Sequence, residues 1–176
     1  MATRKEAKRK SLLQVLTLLV IAAVVVAVVV LAQSWLRNQP DPEPEDTAIE
    51  VSVGEQTKEV YPYMIAEPGV EPAENEVPTI EVADEDNVLI SLPEHVYDHD
   101  WTAVIIYDEP GANDQILHGP YEAEEITVPV TAEPVEEDGE TPRLMVVEIQ
   151  SVMIGTNDAG EQTPYTTVWS VATQHA

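Results

Sequence analysis

Cysteine is absent from all 176 residues, and so is phenylalanine. Without thiols the chain forms no disulfide, no thiolate metal site and no lipid-modified cysteine. Any folded part must rest on burial and hydrogen bonding, which suits a domain above roughly 100 residues. Positive charge is almost missing beyond residue 37. Of eight Lys and Arg, Arg4, Lys5, Lys8, Arg9, Lys10 and Arg37 come early, leaving Lys58 and Arg143. Of 33 Asp and Glu only Glu6 precedes residue 38, so residues 38–176 carry 2 − 32, a formal charge of −30 against −25 for the whole chain. Phosphate binding needs clustered cations, so nucleic acid is excluded as a partner, whereas divalent cations or a basic protein surface would be attracted.

Catalytic signatures are also missing. The seven glycines occur singly, with neither G-x-G-x-x-G nor a P-loop. There is no G-x-S-x-G elbow and no H-E-x-x-H, and the histidines are His95, His99, His118 and His175, the last expected to be disordered. So many carboxylates make any acid pair uninformative. No catalytic residue and no cofactor site is expected, and the chain is read as non-enzymatic.

One long hydrophobic run stands out. Residues 12–32 read LLQVLTLLVIAAVVVAVVVLA, directly behind the basic cluster. As a helix they span about 31 Å, the thickness of a bilayer's hydrocarbon core. Lys and Arg stay on the cytoplasmic side, which places the N-terminus inside and the acidic remainder outside the plasma membrane in a single pass. A secretory signal cleaved after Ala32 is the alternative, but its apolar region would be shorter, about 7–15 residues. Trp35 and Arg37 sit where interfacial anchors belong. Ala23 and Ala27 form a small-xxx-small pair that would let two helices approach. The expected partition is a cytoplasmic tail over 1–11, a transmembrane helix over 12–36, an acidic linker over 37–47 and an extracytoplasmic domain over 48–174. In the linker, NQPDPEPED alternates proline with acids, which predicts an extended spacer.

Beyond the linker the patterning is β. Ile49, Val51 and Val53 alternate with polar residues, as do Val88, Ile90 and Leu92, and Ile126, Val128 and Val130. Ile80 and Val82 mark a short strand. Tyr61, Tyr63 and Ile65 alternate too, with Pro62 predicting a sheet edge. Residues 101–107, WTAVIIY, are apolar on both faces and predict a central strand. Residues 144–154 predict the longest strand, with Met145, Val147, Ile149 and Met153 on one side, and Trp169 and Val171 point inward from the last. Turn chemistry punctuates the series at 108–111, 138–139 and 157–160. Residues 67–78 and 132–142 read as Pro/Glu-rich loops. Seven to nine short strands fit an all-β, antiparallel, immunoglobulin-like β-sandwich with Trp101 as a core residue; a β-barrel is the alternative.

One side-chain cluster has metal-ligand chemistry. His95, Asp98, His99 and Asp100 put two imidazoles and two carboxylates within six residues, a weak candidate site for Zn²⁺ or another divalent ion whose spacing matches no firm motif. A polar loop explains them more simply, as a turn explains Asp84, Glu85 and Asp86. Six tyrosines (61, 63, 97, 107, 121, 165) could line a sugar or peptide strip, or pack at core edges.

The whole arrangement, with Leu92-Pro93 leading to Trp101, Glu148-Ile149-Gln150-Ser151 and Trp169-Ser170-Val171, resembles an uncharacterised family of membrane-anchored extracytoplasmic domains from actinobacteria, corynebacteria and mycobacteria. The resemblance covers about half of the outer domain. It implies a mycolic-acid-type envelope and brings no catalytic residue. The expected function is a membrane-tethered interaction module with a protein partner in the cell envelope; divalent-cation or small-ligand binding is the alternative.

Overall fold

A computed structural model describes residues 21–34, 42–83, 87–137 and 139–175. The chain divides into two units, Met1–Asp41 and Pro42–Ala176. In the first, residues 21–34 form helix α1, with side chains exposed all round. Among the described residues no helix is long and apolar enough to cross a membrane; residues 12–20 and 35–36 of the expected span lie outside them.

The second unit is built from two sheets. The smaller contains β1 (Ile49–Val53), β2 (Gln56–Val60), β6 (Asn87–Ser91) and β9 (Glu125–Pro129) in the order β2-β1-β6-β9, antiparallel throughout. The larger contains β3 (Met64–Ala66), β4 (Ala73–Glu74), β7 (Trp101–Tyr107), β8 (Asp114–His118), β10 (Leu144–Thr156) and β11 (Gln162–His175) in the order β4-β3-β11-β10-β7-β8. Its one parallel ladder joins β5 (Thr79–Val82) to the end of β11. A one-turn helix α2 (Glu94–Tyr97) leads into β7, and 3-10 turns occupy Pro44–Asp46 and Pro110–Ala112.

Period-two alternation explains how the sheets face one another. Ile49, Val51 and Val53 of β1 and Val88 and Ile90 of β6 are buried, while Glu50 between them is exposed. Opposite them, β7 turns Trp101, Ala103, Ile105 and Tyr107 inward, and Ile149, Trp169 and Val171 complete one core shared by both sheets. Each such burial contributes about 1.5–3 kcal/mol against the entropy of ordering the chain. At the β1–β2 turn Gly54 takes φ +57°, a left-handed conformation that glycine accepts without steric cost.

Four differences from the sequence reading have physical causes. Met145 faces out and is 43% exposed, because the register slips between Leu144 and Val146: Leu144 opposes Tyr107 while Val146 opposes Ile106. That bulge adds a residue and lets both Leu144 and Val147 face the core. The second half of the expected spacer is docked on the sheet. Glu43's carboxylate accepts from Thr156 N (2.9 Å) and Thr156 Oγ1 (2.8 Å), Pro44 is buried, and Trp169 Nε1 donates to Thr47 O at 2.8 Å. Pro62 does not make β3 an edge strand: it lies outside the ladder, so its missing N–H costs no bond, and β3 pairs with both β11 and β4. His175, expected to be disordered, ends β11 with its Nε2 2.8 Å from Leu144 O.

Candidate functional site

The outward face of the large sheet collects the residues of interest. On β10 the odd-numbered Val147, Ile149, Ser151 and Met153 face the core, which turns Val146, Glu148 and Gln150 outward, half-buried, and leaves Val152 and Ile154 exposed. Register fixes their neighbours. Glu148 stands between Val104 and Ser170, Val146 between Ile106 and Ala172, and Gln150 between Thr102 and Val168. The face is therefore aliphatic around one carboxylate: Val104, Ile106, Val146 and Ala172 are half-buried, while Val168 and Ser170 are already buried within the chain.

That carboxylate is loosely held. Ser170 Oγ donates to Glu148 Oε1 and Gln150 Nε2 donates to Oε2, each at 3.5 Å, beyond the usual 2.7–3.2 Å. An ionised carboxylate accepts about four hydrogen bonds, so Glu148 retains acceptor capacity. Tyr63 closes the same region. Its backbone N–H donates to Val168 O at 2.7 Å. Its hydroxyl pKa is raised first by the hydrogen bond to Glu74, then by desolvation and the nearby charges of Glu74 and Glu148. Lys58 lies on β2 of the other sheet, reaching Thr79 O at 3.2 Å, and Arg143 precedes β10, roughly 17 Å along the strand from Glu148.

Residues 42–174 match the family described as a protein of unknown function, DUF2771. The chain belongs to the DUF2771 family. The match takes in the docked segment: Glu43, Pro44 and Thr47 are parts of the DUF2771 domain. No curated protein and no solved structure matches the chain.

The candidate metal residues of the DUF2771 domain do not converge. His95 sits on α2, Asp98 is its C-terminal cap, and His99 and Asp100 are exposed as the chain enters β7. His99 Nδ1 contacts Asp98 Oδ1. Among the described residues no group of three His, Cys, Asp or Glu side chains could hold a metal ion. The helix ends after one turn, so His95 and His99 never share a helical face. Asp84, Glu85 and Asp86 lie outside the described residues.

The tyrosines do not form a strip. Tyr97 and Tyr121 meet edge to face at 5.8 Å, Tyr107 is buried and donates to Pro129 O at 2.9 Å, and Tyr165 packs near Gly155. Burial raises the pKa of Tyr97, Tyr107 and Tyr165, with nearby carboxylates adding to it. His118 stacks on Trp101, ring centroids 4.2 Å apart.

The Glu148–Ser170 pair escaped the sequence reading, although a signal existed. The β10–β11 turn is centred on Ala159, and Glu148 and Ser170 are equidistant from it, which makes them cross-strand neighbours.

Proposed function

We propose that this protein is a membrane-tethered, non-enzymatic interaction module of an actinobacterial cell envelope. In this reading residues 12–36 cross the plasma membrane once, and the DUF2771 domain faces outward and docks a protein partner on its large sheet. The observation that carries the docking reading is the aliphatic outward face with the under-bonded Glu148 at its centre. The partner's chemistry follows from charge: a segment offering a Lys or Arg among apolar side chains complements both Glu148 and the acidic domain. The membrane reading rests on the uncharged run behind the basic tail.

The fold reading is an immunoglobulin-like sandwich. What supports it is chain order: β7, β10 and β11 lie together with β8 added beyond β7, β6 pairs with β9 in the opposite sheet, and a buried Trp101 occupies β7. β1 to β4 are then additions to that plan.

The docking reading is tested with a photoreactive residue at Val104, opposite Glu148, in protein expressed in its native membrane. A discrete adduct is expected from Val104 and none from Ser52 on the small sheet. Equal labelling from both positions, or none from Val104, contradicts it. Orientation is tested by a single Ser52→Cys in the cysteine-free chain. Labelling by an impermeant maleimide on intact cells is expected, and protection until lysis contradicts the topology.

A further inference from the structure

The sheet edges are guarded unequally. β2 carries Lys58 and Glu59, β9 contains Pro129 and β4 is two residues long, all devices that discourage strand addition. β8, DQILH, has neither Pro nor Lys, and it exposes Leu117 by 71% and Ile116 by 37%. Among the described residues it pairs with β7 alone. Across the sandwich Tyr107 Oη of β7 donates to Pro129 O of β9, the last strand of the small sheet, and β8 lies one strand beyond β7 in the large sheet.

We infer that β8 is a self-association edge, pairing antiparallel with β8 of a second copy in a two-fold register centred on Ile116. The backbone selects that register. Gln115 N–H is bonded not to β7 but to the Asp114 carboxylate at 2.8 Å, so Gln115, and by alternation Leu117, point their backbone groups outward. Centring on Ile116 sets Gln115 against Leu117 of the second copy twice over, giving about four inter-chain hydrogen bonds. Ile116 then meets its own counterpart at the close, non-hydrogen-bonded spacing.

Side-chain chemistry selects the same register. It brings Asp114 opposite His118 of the second copy, a carboxylate beside an imidazole, at both ends of the strand. In a domain with two Lys and Arg this is a scarce complementarity. Asp114 exchanges its local cap on Gln115 for this contact.

Two acidic domains repel one another at long range, so association must strengthen with salt. Binding of a basic partner would weaken instead. The inference does not depend on the tethered-module reading, because it concerns an edge strand and not the Glu148 face.

The test uses full-length protein in detergent micelles. With no native cysteine, Ile116→Cys provides the sole thiol, lying on the two-fold axis at disulfide spacing. Mild oxidation is expected to give covalent dimer from Ile116→Cys and little from Thr57→Cys on the β2 edge. Wild-type protein should sediment increasingly as dimer as salt rises from about 0.01 M to about 1 M, over which the screening length falls from about 30 Å to about 3 Å. Leu117→Pro, which removes an outward donor, and Ile116→Lys, which sets like charges against each other, should both yield monomer with unchanged circular dichroism. Equal cross-linking from Thr57→Cys and Ile116→Cys, or a wild type that stays monomeric at high salt, overturns the inference.

Discussion

The outward faces of the two sheets are built differently although both belong to one domain. On the small sheet the outward positions are mostly polar (Glu50, Ser52, Thr57, Glu59, Ser91 and Thr127), with Leu89 the aliphatic among them, and Ser52 Oγ meets Thr57 Oγ1 at 3.0 Å. This is the apolar-in, polar-out alternation of an antiparallel sheet with one solvated side. On the large sheet the equivalent positions are Val104, Ile106, Val146, Val168 and Ala172, interrupted by Glu148, Gln150 and Ser170. Solubility alone would favour the first pattern on both. The second pattern leaves half-buried aliphatics on the outward side, which on the proposed reading a partner covers.

Several substitutions would break or sharpen that contrast. The largest effect belongs to the core both faces share. Trp169→Ala should cost about 3–5 kcal/mol in a denaturant titration, since it empties a fully buried site and leaves Thr47 O without its donor. Gly155→Ala comes next. A Cβ there would lie 2.7 Å from Pro44 Cδ and 2.9 Å from Tyr165 Cε2. It should cost about 1–3 kcal/mol and release residues 43–47, seen as faster amide exchange near Thr47.

Val146→Asp and Ser52→Asp compare the faces with one charge. The first should cost about 1–2 kcal/mol by losing its packing with Ile106 and Ala172, the second about 0.5 kcal/mol or less. Equal melting shifts would mean the faces are alike after all. The smallest effect is at alkaline pH. Tyr63's raised pKa means its neutral hydroxyl is favoured in the folded state, so its contribution is full below the unfolded value near 10 and lost as pH rises through the higher folded value. Tyr63→Phe should blunt that alkaline loss, leaving the slope due to Tyr97, Tyr107 and Tyr165.

Strands with clean alternation were legible in the sequence, as β1 and β6 show, and β7 was legible as a short run apolar on both faces. β2 was not, because QTKEV buries only Val60 and carries no period-two signal. β8 was missed for the same reason, its five residues being mostly exposed. Met145 was placed on the wrong side because a bulge shifts the phase of everything before it, and no composition rule marks that slip. The docked segment at 43–47 was hidden by its proline spacing. Its attachment depends on Thr156 and Gly155, more than 100 residues away, and such partners become visible only through the fold. Glu148 was one acid among many until register put Ser170 beside it and aliphatics around it.

The most direct test of the docking face separates local charge from total charge. Glu148→Lys and Glu50→Lys change the net charge of the chain equally, one on the large sheet and one on the small. With the photoreactive residue held at Val104 in native membranes, Glu148→Lys should abolish the adduct and Glu50→Lys should leave it. Equal loss from both, or an adduct that survives Glu148→Lys, would contradict the account.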